Sequence, residues 1–246
     1  MERHAFYVNY KDTDLCIAVD EDSYKEEIPQ MALEFCCHLR DAMDAYLITD
    51  TEYQKSLTPY YPRHTSGIED EVREVLEHMS MAGERAGIGP MGAVAGAFNL
   101  YLAQHLNKAF TPSELIIENG GDIYAEAQEA LNVSIFANTS PLSNKVGFTV
   151  PADCFPLGIC TSSGTCGHSF SMGKADAVMV MCKDVLVADA MATAIANQVQ
   201  TEDDVARVIE TLNDDGLFSV CIIKGEKVAV KGELPLKVFK EQGYEL

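Results

Sequence analysis

Leu115-Ile116-Ile117-Glu118-Asn119-Gly120-Gly121-Asp122-Ile123-Tyr124-Ala125-Glu126-Ala127 is the stretch whose reading decides the fold. Two short apolar runs, 115–118 and 122–127, flank Asn119-Gly120-Gly121, and Asn-Gly is the strongest short-range hairpin signal. Four further short runs follow at 133–137, 146–150, 159–162 and 177–182. Strands that succeed one another through small turns pair antiparallel, because parallel pairing needs a long crossover each time. The expectation is an α+β fold, a mainly antiparallel sheet covered by helices, as a single domain over residues 1–246.

Outward from that stretch, residues 6–10 and 15–19 alternate as strands around Lys11-Asp12-Thr13 and read as a hairpin. Residues 29–47 carry the stripe Ile28, Met31, Phe35, Leu39, Ala42, Met43 and Tyr46, at helical spacing. The region 53–67, with Pro59 and Pro62, reads as a loop. A second helix starts near Ser66, with Glu69, Asp70 and Glu71 in its first turns, where the helix dipole favours acids. A third spans 91–109. Helices at 185–199 and 202–212 and a last hairpin, 219–223 with 228–231, complete the chain.

The 246 residues are 47% apolar, enough for a sizeable core, and the formal charge is −20. Such acidity repels nucleic acid and anionic membranes, so neither is an expected partner. It equally means that a phosphate-bearing ligand needs a cation or a helix N-terminus to offset the field. Met1-Glu2-Arg3-His4 opens no apolar leader, and no run reaches the ~18 residues of a membrane span. The expected location is cytoplasmic, with the eight cysteines as reduced thiols.

Several motifs admit two readings. Gly87-Ile88-Gly89-Pro90-Met91-Gly92 matches the dinucleotide fingerprint by letters, but a helix precedes it and Pro90 removes an amide. It reads equally as helix punctuation with small residues for close packing. Asn119-Gly120-Gly121-Asp122 is either a plain turn or a backbone that a ligand can approach. Asp189 and Thr193, four apart on a helix among alanines, are oxygen donors suited to Mg²⁺, or else a solvated acid and a hydroxyl bonded to its own helix. Cys154, Cys160 and Cys166 recur every six residues, a spacing outside the usual zinc and cluster patterns, and offer buried thiols or one reactive thiol. His168 is a candidate general base or a structural loop histidine.

Taken in order, Asn119-Gly120-Gly121-Asp122, Thr161-Ser162-Ser163-Gly164, His168-Ser169 and Asp189-Ala190-Met191-Ala192-Thr193-Ala194 resemble the ApbE family, the FAD:protein FMN transferases. The resemblance runs from about Gly89 to Asn197. It implies that Asp189 and Thr193 bind Mg²⁺. It also implies that Asn119, Gly120, Gly121 and Asp122, with Ser162, Ser163 and Gly164, line a site for FAD or a related nucleotide, with a protein as acceptor. Gly92-Ala93-Val94-Ala95-Gly96-Ala97 aligns with the family's G-I-A-K-G-Y segment and puts Ala95 where the family has lysine. The family's D-P-x-T-G segment is absent after His168. The chain is similar to a short cytoplasmic branch of that superfamily, some members of which are linked to sulfur assimilation and homocysteine formation. Two functions are therefore expected alternatives: Mg²⁺-dependent transfer of a flavin nucleotidyl group to a hydroxyl, or a binding or sulfur-handling scaffold without transfer.

Overall fold

The computed structural model describes residues 2–164, 173–213 and 215–239. Its centre is an eight-stranded antiparallel sheet. The first hairpin joins β1 (Arg3–Tyr10) to β2 (Thr13–Asp20). Next to β2 runs β3 (Leu115–Asn119), then β4 (Asp122–Glu126), β7 (Leu157–Ser162), β8 (Ala177–Cys182), β9 (Ser219–Lys224) and β10 (Lys227–Gly232). A second sheet of three strands is formed by β5 (Leu131–Ser134), β6 (Val146–Val150) and β11 (Lys237–Val238). Every pairing is antiparallel. The α+β expectation holds.

The helices are excursions between strands that remain neighbours. Between β2 and β3 the chain makes α1 (Ile28–Thr49), α2 (Thr51–Lys55), α3 (Asp70–Ala86) and α4 (Val94–Phe110). Between β8 and β9 it makes α5 (Val185–Ala196) and α6 (Asp204–Thr211). Period-two alternation of the strands decides which side meets them. Leu15, Ile17, Leu115, Ile117, Cys160, Val178, Val180, Val220 and Ile222 belong to the helix-side core. Leu157, Ile159, Met179, Met181, Cys221 and Ile223 point the other way, against Val146, Phe148 and Val150 of the small sheet. β8 is buried on both faces, which explains why Ala177-Val178-Met179-Val180-Met181-Cys182 reads as an unbroken apolar run.

Boundaries differ from expectation where local chemistry intervenes. The expected loop after residue 53 opens instead with α2, because Asp50 accepts the Tyr53 amide at its N-terminus and Tyr53, fully buried, donates its hydroxyl to the Leu76 carbonyl. The third helix is preceded by a 3-10 turn, Pro90–Ala93. β5 lies two residues earlier than expected, in register Leu131 with Val150 to Ser134 with Gly147. Beyond it the chain turns away through Ala137 and Ser140, whose carbonyl and amide bond at 2.9 Å. In the glycine-rich segment, Gly87 ends α3 in the left-handed region at φ 72°, and Gly89 lies so close to the Ser56 carbonyl that a Cβ would sit 1.7 Å from its oxygen. These are punctuation and close packing, and an all-antiparallel sheet leaves no βαβ unit for a dinucleotide fingerprint.

Asp184 fixes the start of α5. Its carboxylate accepts the amides of Leu186 (3.0 Å) and Val187 (3.3 Å), and Nε2 of His78 on α3 lies 3.0 Å from its other oxygen. Burial opposes the charge, but the His78 ring and these amides outweigh it and hold the carboxyl below its ordinary range. Its stabilising contribution is therefore complete above the unfolded-chain value of ~3.9 and is lost as pH falls through the lower folded value. Asp184→Ala is expected to cost about 1–2 kcal/mol at pH 7 by chemical denaturation. The gap to wild type should narrow below about pH 4. A gap independent of pH would place the stabilisation elsewhere.

Candidate functional site

The site is built around α5, almost every residue of which is buried. Two glycines let it approach its neighbours this closely. A Cβ on Gly158 of β7 would lie 2.5 Å from Val185 Cα, and one on Gly96 of α4 would lie 2.7 Å from the Val185 carbonyl oxygen. The alanines of α5 continue this contact between the sheet on one side and α4 on the other.

One turn along α5, Asp189 is 8% exposed, so the solvated-acid alternative is excluded. Its Oδ2 accepts the Gly96 amide at 2.9 Å, at the N-terminus of α4. Burial raises the Asp189 carboxyl to about 7, against the pull of the Gly96 and Ala95 amides. One turn further, the Thr193 hydroxyl lies 3.5 Å from the hydroxyl of Ser162, the last residue of β7. Beside Ser162, the Thr161 amide donates to Asp122 Oδ1 at 3.1 Å. Asn99 Nδ2, on α4, donates to the Asp122 carbonyl at 2.8 Å. Asp122, Ser162, Thr193 and Asp189, from three separate elements, are thereby brought together around α4.

Asp122 keeps some surface as a residue, yet the packing around its carboxyl suffices to disfavour the charge. Burial first, and then the charge of Asp189, push its carboxyl well above the ordinary range, and the Thr161 amide and Cys160 thiol offset this only in part.

Asn119-Gly120-Gly121-Asp122 is a true hairpin turn. Asn119 pairs with Asp122, Gly120 and Gly121 have φ of 63° and 105°, and the Gly121 amide bonds Glu118 Oε1 at 2.7 Å. The same turn delivers Asp122 to the site and brings Asn119 Nδ2 within 3.5 Å of the Ala95 carbonyl. Ala95, standing where lysine was expected, is thus at the site itself and carries no charge there. Ser163 and Gly164 lead away from β7. The Gly164 amide bonds Ala175 O at 3.0 Å, and a Cβ on Gly164 would meet the Gly173 carbonyl at 2.0 Å. His168 and Cys166 lie outside the described residues.

Among the described residues the thiols form no cluster. Among the described residues, no three or more His, Cys, Asp or Glu are gathered as for a metal. Cys160 is buried, and burial together with Asp122 and Asp189 pushes its thiol well up. Burial also raises the Cys154 and Cys182 thiols, so these three are thiols rather than thiolates at neutral pH. The two carboxylates and two hydroxyls are oxygen donors of the kind a hard cation such as Mg²⁺ takes. A cavity of about 430 Å³ lies on another face of α5, lined by Met191, Ile195, Leu212 and Leu217. It is apart from the Asp189–Thr193 face, since residues two and six positions after Asp189 point away from it. No single helix among the described residues is long and apolar enough to cross a membrane.

A family model described as AbpE bacteria matches residues 1–218. The chain belongs to the ApbE-like family. Curated relatives of similar length include the UPF0280 proteins of Methanocaldococcus jannaschii and Methanosphaerula palustris. The first is 33% identical, over 92% of this chain and 89% of its own. The second is 36% identical, over 93% and 91%. Among solved structures, the apo flavinyl transferase ApbE of Pseudomonas stutzeri superposes with TM-score 0.54 at 15% identity, covering 94% of both chains. The ApbE protein of Thermotoga maritima gives 0.56 at 13%, covering 93% of this chain and 96% of its own. At such identity the likeness is one of fold: this chain has the ApbE architecture.

Sequence reasoning missed three contributors. Asn99 is buried between Phe98 and Leu100 on an apolar helix, and a polar residue in that setting was the available signal. The Gly96 amide gives no sequence signal. Gly158 gave a weak one, as a glycine inside a strand. If the close approach of α5 organises the ApbE-like site, Gly158→Ala is expected to lower stability by about 1–3 kcal/mol in chemical denaturation. Wild-type stability in that variant would show that α5 does not depend on this contact.

Proposed function

We propose that this ApbE-like protein binds a flavin or related nucleotide diphosphate together with Mg²⁺, and transfers a flavin nucleotidyl group to an acceptor hydroxyl. The observation that carries this reading is the contact circuit that sets Asp189 and Thr193 of α5 against Ser162 and Asp122, four oxygen-bearing side chains gathered at one place. The family membership and the shared architecture with flavin transferases support it.

Asp189 and Thr193 would hold Mg²⁺, and the ion when bound would neutralise the pyrophosphate and stabilise charge developing at the transferred phosphorus. Asp189 is held in place by the Gly96 amide, so its carboxylate needs little reorganisation to serve. Asn119 and the Gly120-Gly121 backbone would bound the nucleotide, with Ser162, Ser163 and Gly164 on the facing strand end. In the transfer, the acceptor oxygen bonds to the flavin-side phosphorus, the bond from that phosphorus to the bridging oxygen breaks, and the nucleoside monophosphate leaves. His168 is the proposed base that takes the acceptor proton. Ala95 offers no charge at the site, so the proposal places the counter-charge on the ion. The acceptor is proposed to be a protein hydroxyl and the compartment the cytoplasm.

A titration of FAD into the purified protein, followed by visible absorption with and without Mg²⁺, tests this. Binding should require Mg²⁺, and Asp189→Asn should weaken it on the order of tenfold or more at matched Mg²⁺. Asn keeps an acceptor for the Gly96 amide, so the fold should persist. Thr193→Val should weaken binding less, and the double variant should be non-additive if both residues share one ion. Equal affinity of wild type and Asp189→Asn would end the metal reading. Binding without turnover on any hydroxyl acceptor would instead favour the scaffold alternative, for which Ala95 speaks.

A further inference from the structure

The turn that carries Asp122 was expected to line the nucleotide site. Its contacts also tie Asp122 to the Asp189–Thr193 face of α5. Asp122 Oδ1 is bound to the Thr161 amide, next in sequence to Ser162; the Ser162 hydroxyl meets Thr193; Thr193 is one turn from Asp189; and Asp189 is bound to Gly96 of α4. Asn99 of the same helix closes the circuit by donating to the Asp122 carbonyl. We propose that Asp122 is a second carboxylate ligand of the divalent cation, so that Asp122 and Asp189 together form a two-carboxylate site. This rests on the Mg²⁺ reading of the preceding subsection and goes beyond it by assigning the turn's acid to the ion.

Three observations support the assignment. Ser162 and Thr193 link the two carboxyls through this circuit, and among the described residues no Lys, Arg or His is hydrogen-bonded or ion-paired to either. Two like charges in such surroundings persist only with a cation, or with a proton, between them. Asn99 is fully buried and, among the described residues, its Oδ1 has no partner, although its Nδ2 is fixed on the Asp122 carbonyl. A water on the ion would supply the missing donor. Finally, Asp122 leaves the sheet's hairpin at a turn of two positive-φ glycines, which holds it at the head of β4 without a flexible linker.

Mn²⁺ binding to the nucleotide-free protein at pH 7.5, followed by electron paramagnetic resonance, tests the assignment without recourse to activity. Wild type, Asp122→Asn, Asp189→Asn and, as an exposed acid outside the site, Asp12→Asn are compared, each checked by thermal melting for its fold. Asp122→Asn keeps the acceptor for the Thr161 amide. Asp122→Ser, which also removes the charge, serves if the first variant misfolds. Loss of Mn²⁺ affinity on the order of tenfold or more is expected in both carboxylate variants, with Asp12→Asn unchanged. Wild-type affinity in folded Asp122→Asn or Asp122→Ser, beside a loss in Asp189→Asn, overturns the second ligand and leaves the Mg²⁺ reading standing. No Mn²⁺ bound to wild type at millimolar concentration overturns the two-carboxylate site outright. The flavin titration then decides separately whether the function proposed above survives.

Discussion

The site depends on one constraint: α5 must lie against β7 and α4 at backbone distance. Gly158 and Gly96 leave no side chain where the Val185 backbone passes. From that contact the rest follows by helix geometry. Asp189 comes level with the amide of Gly96, and Thr193, one turn on, comes level with Ser162 at the end of β7. A side chain at either glycine would force α5 outward and open both contacts together. Asp184 sets the same helix in register at its other end, through its own cap and its contact with His78.

Electrostatics explains why such a site suits an acidic chain. Asp189 and Asp122 are placed where burial disfavours charge, and the charge of Asp189 pushes the Asp122 carboxyl up further. Such strain is found where a ligand relieves it. The field of a chain with formal charge −20 repels anions, so the proposed affinity for a nucleotide diphosphate calls for a cation. Ala95 brings no charge to offset that field; its amide and carbonyl face Asp189 and Asn119.

Much of the architecture was legible in the sequence because strand alternation and helical stripes report burial directly. The turn at Asn119-Gly120-Gly121 and the apolar run of β8 sufficed for the antiparallel reading. Asp189 and Thr193 were legible as a pair through their four-residue spacing, though not the burial of Asp189. What stayed hidden was relational. That Asp122 faces Asp189 depends on β4 lying beside β7, a pairing made across the excursion of β5 and β6. The amide of Gly96 has no residue code. The short helix α2 was lost because Pro59 and Pro62 pointed to a loop, while Asp50 quietly supplied the cap.

Asp189 and Thr193 are proposed to hold a divalent ion at which a nucleotide diphosphate binds. A crystal structure grown with FAD and Mn²⁺, with the ion located by anomalous diffraction, tests this most directly. An anomalous peak is expected within ligand distance of the Asp189 carboxylate and the Thr193 hydroxyl, beside the pyrophosphate. A peak elsewhere, or a nucleotide seated against Met191 and Ile195 on the other face of α5, would contradict it.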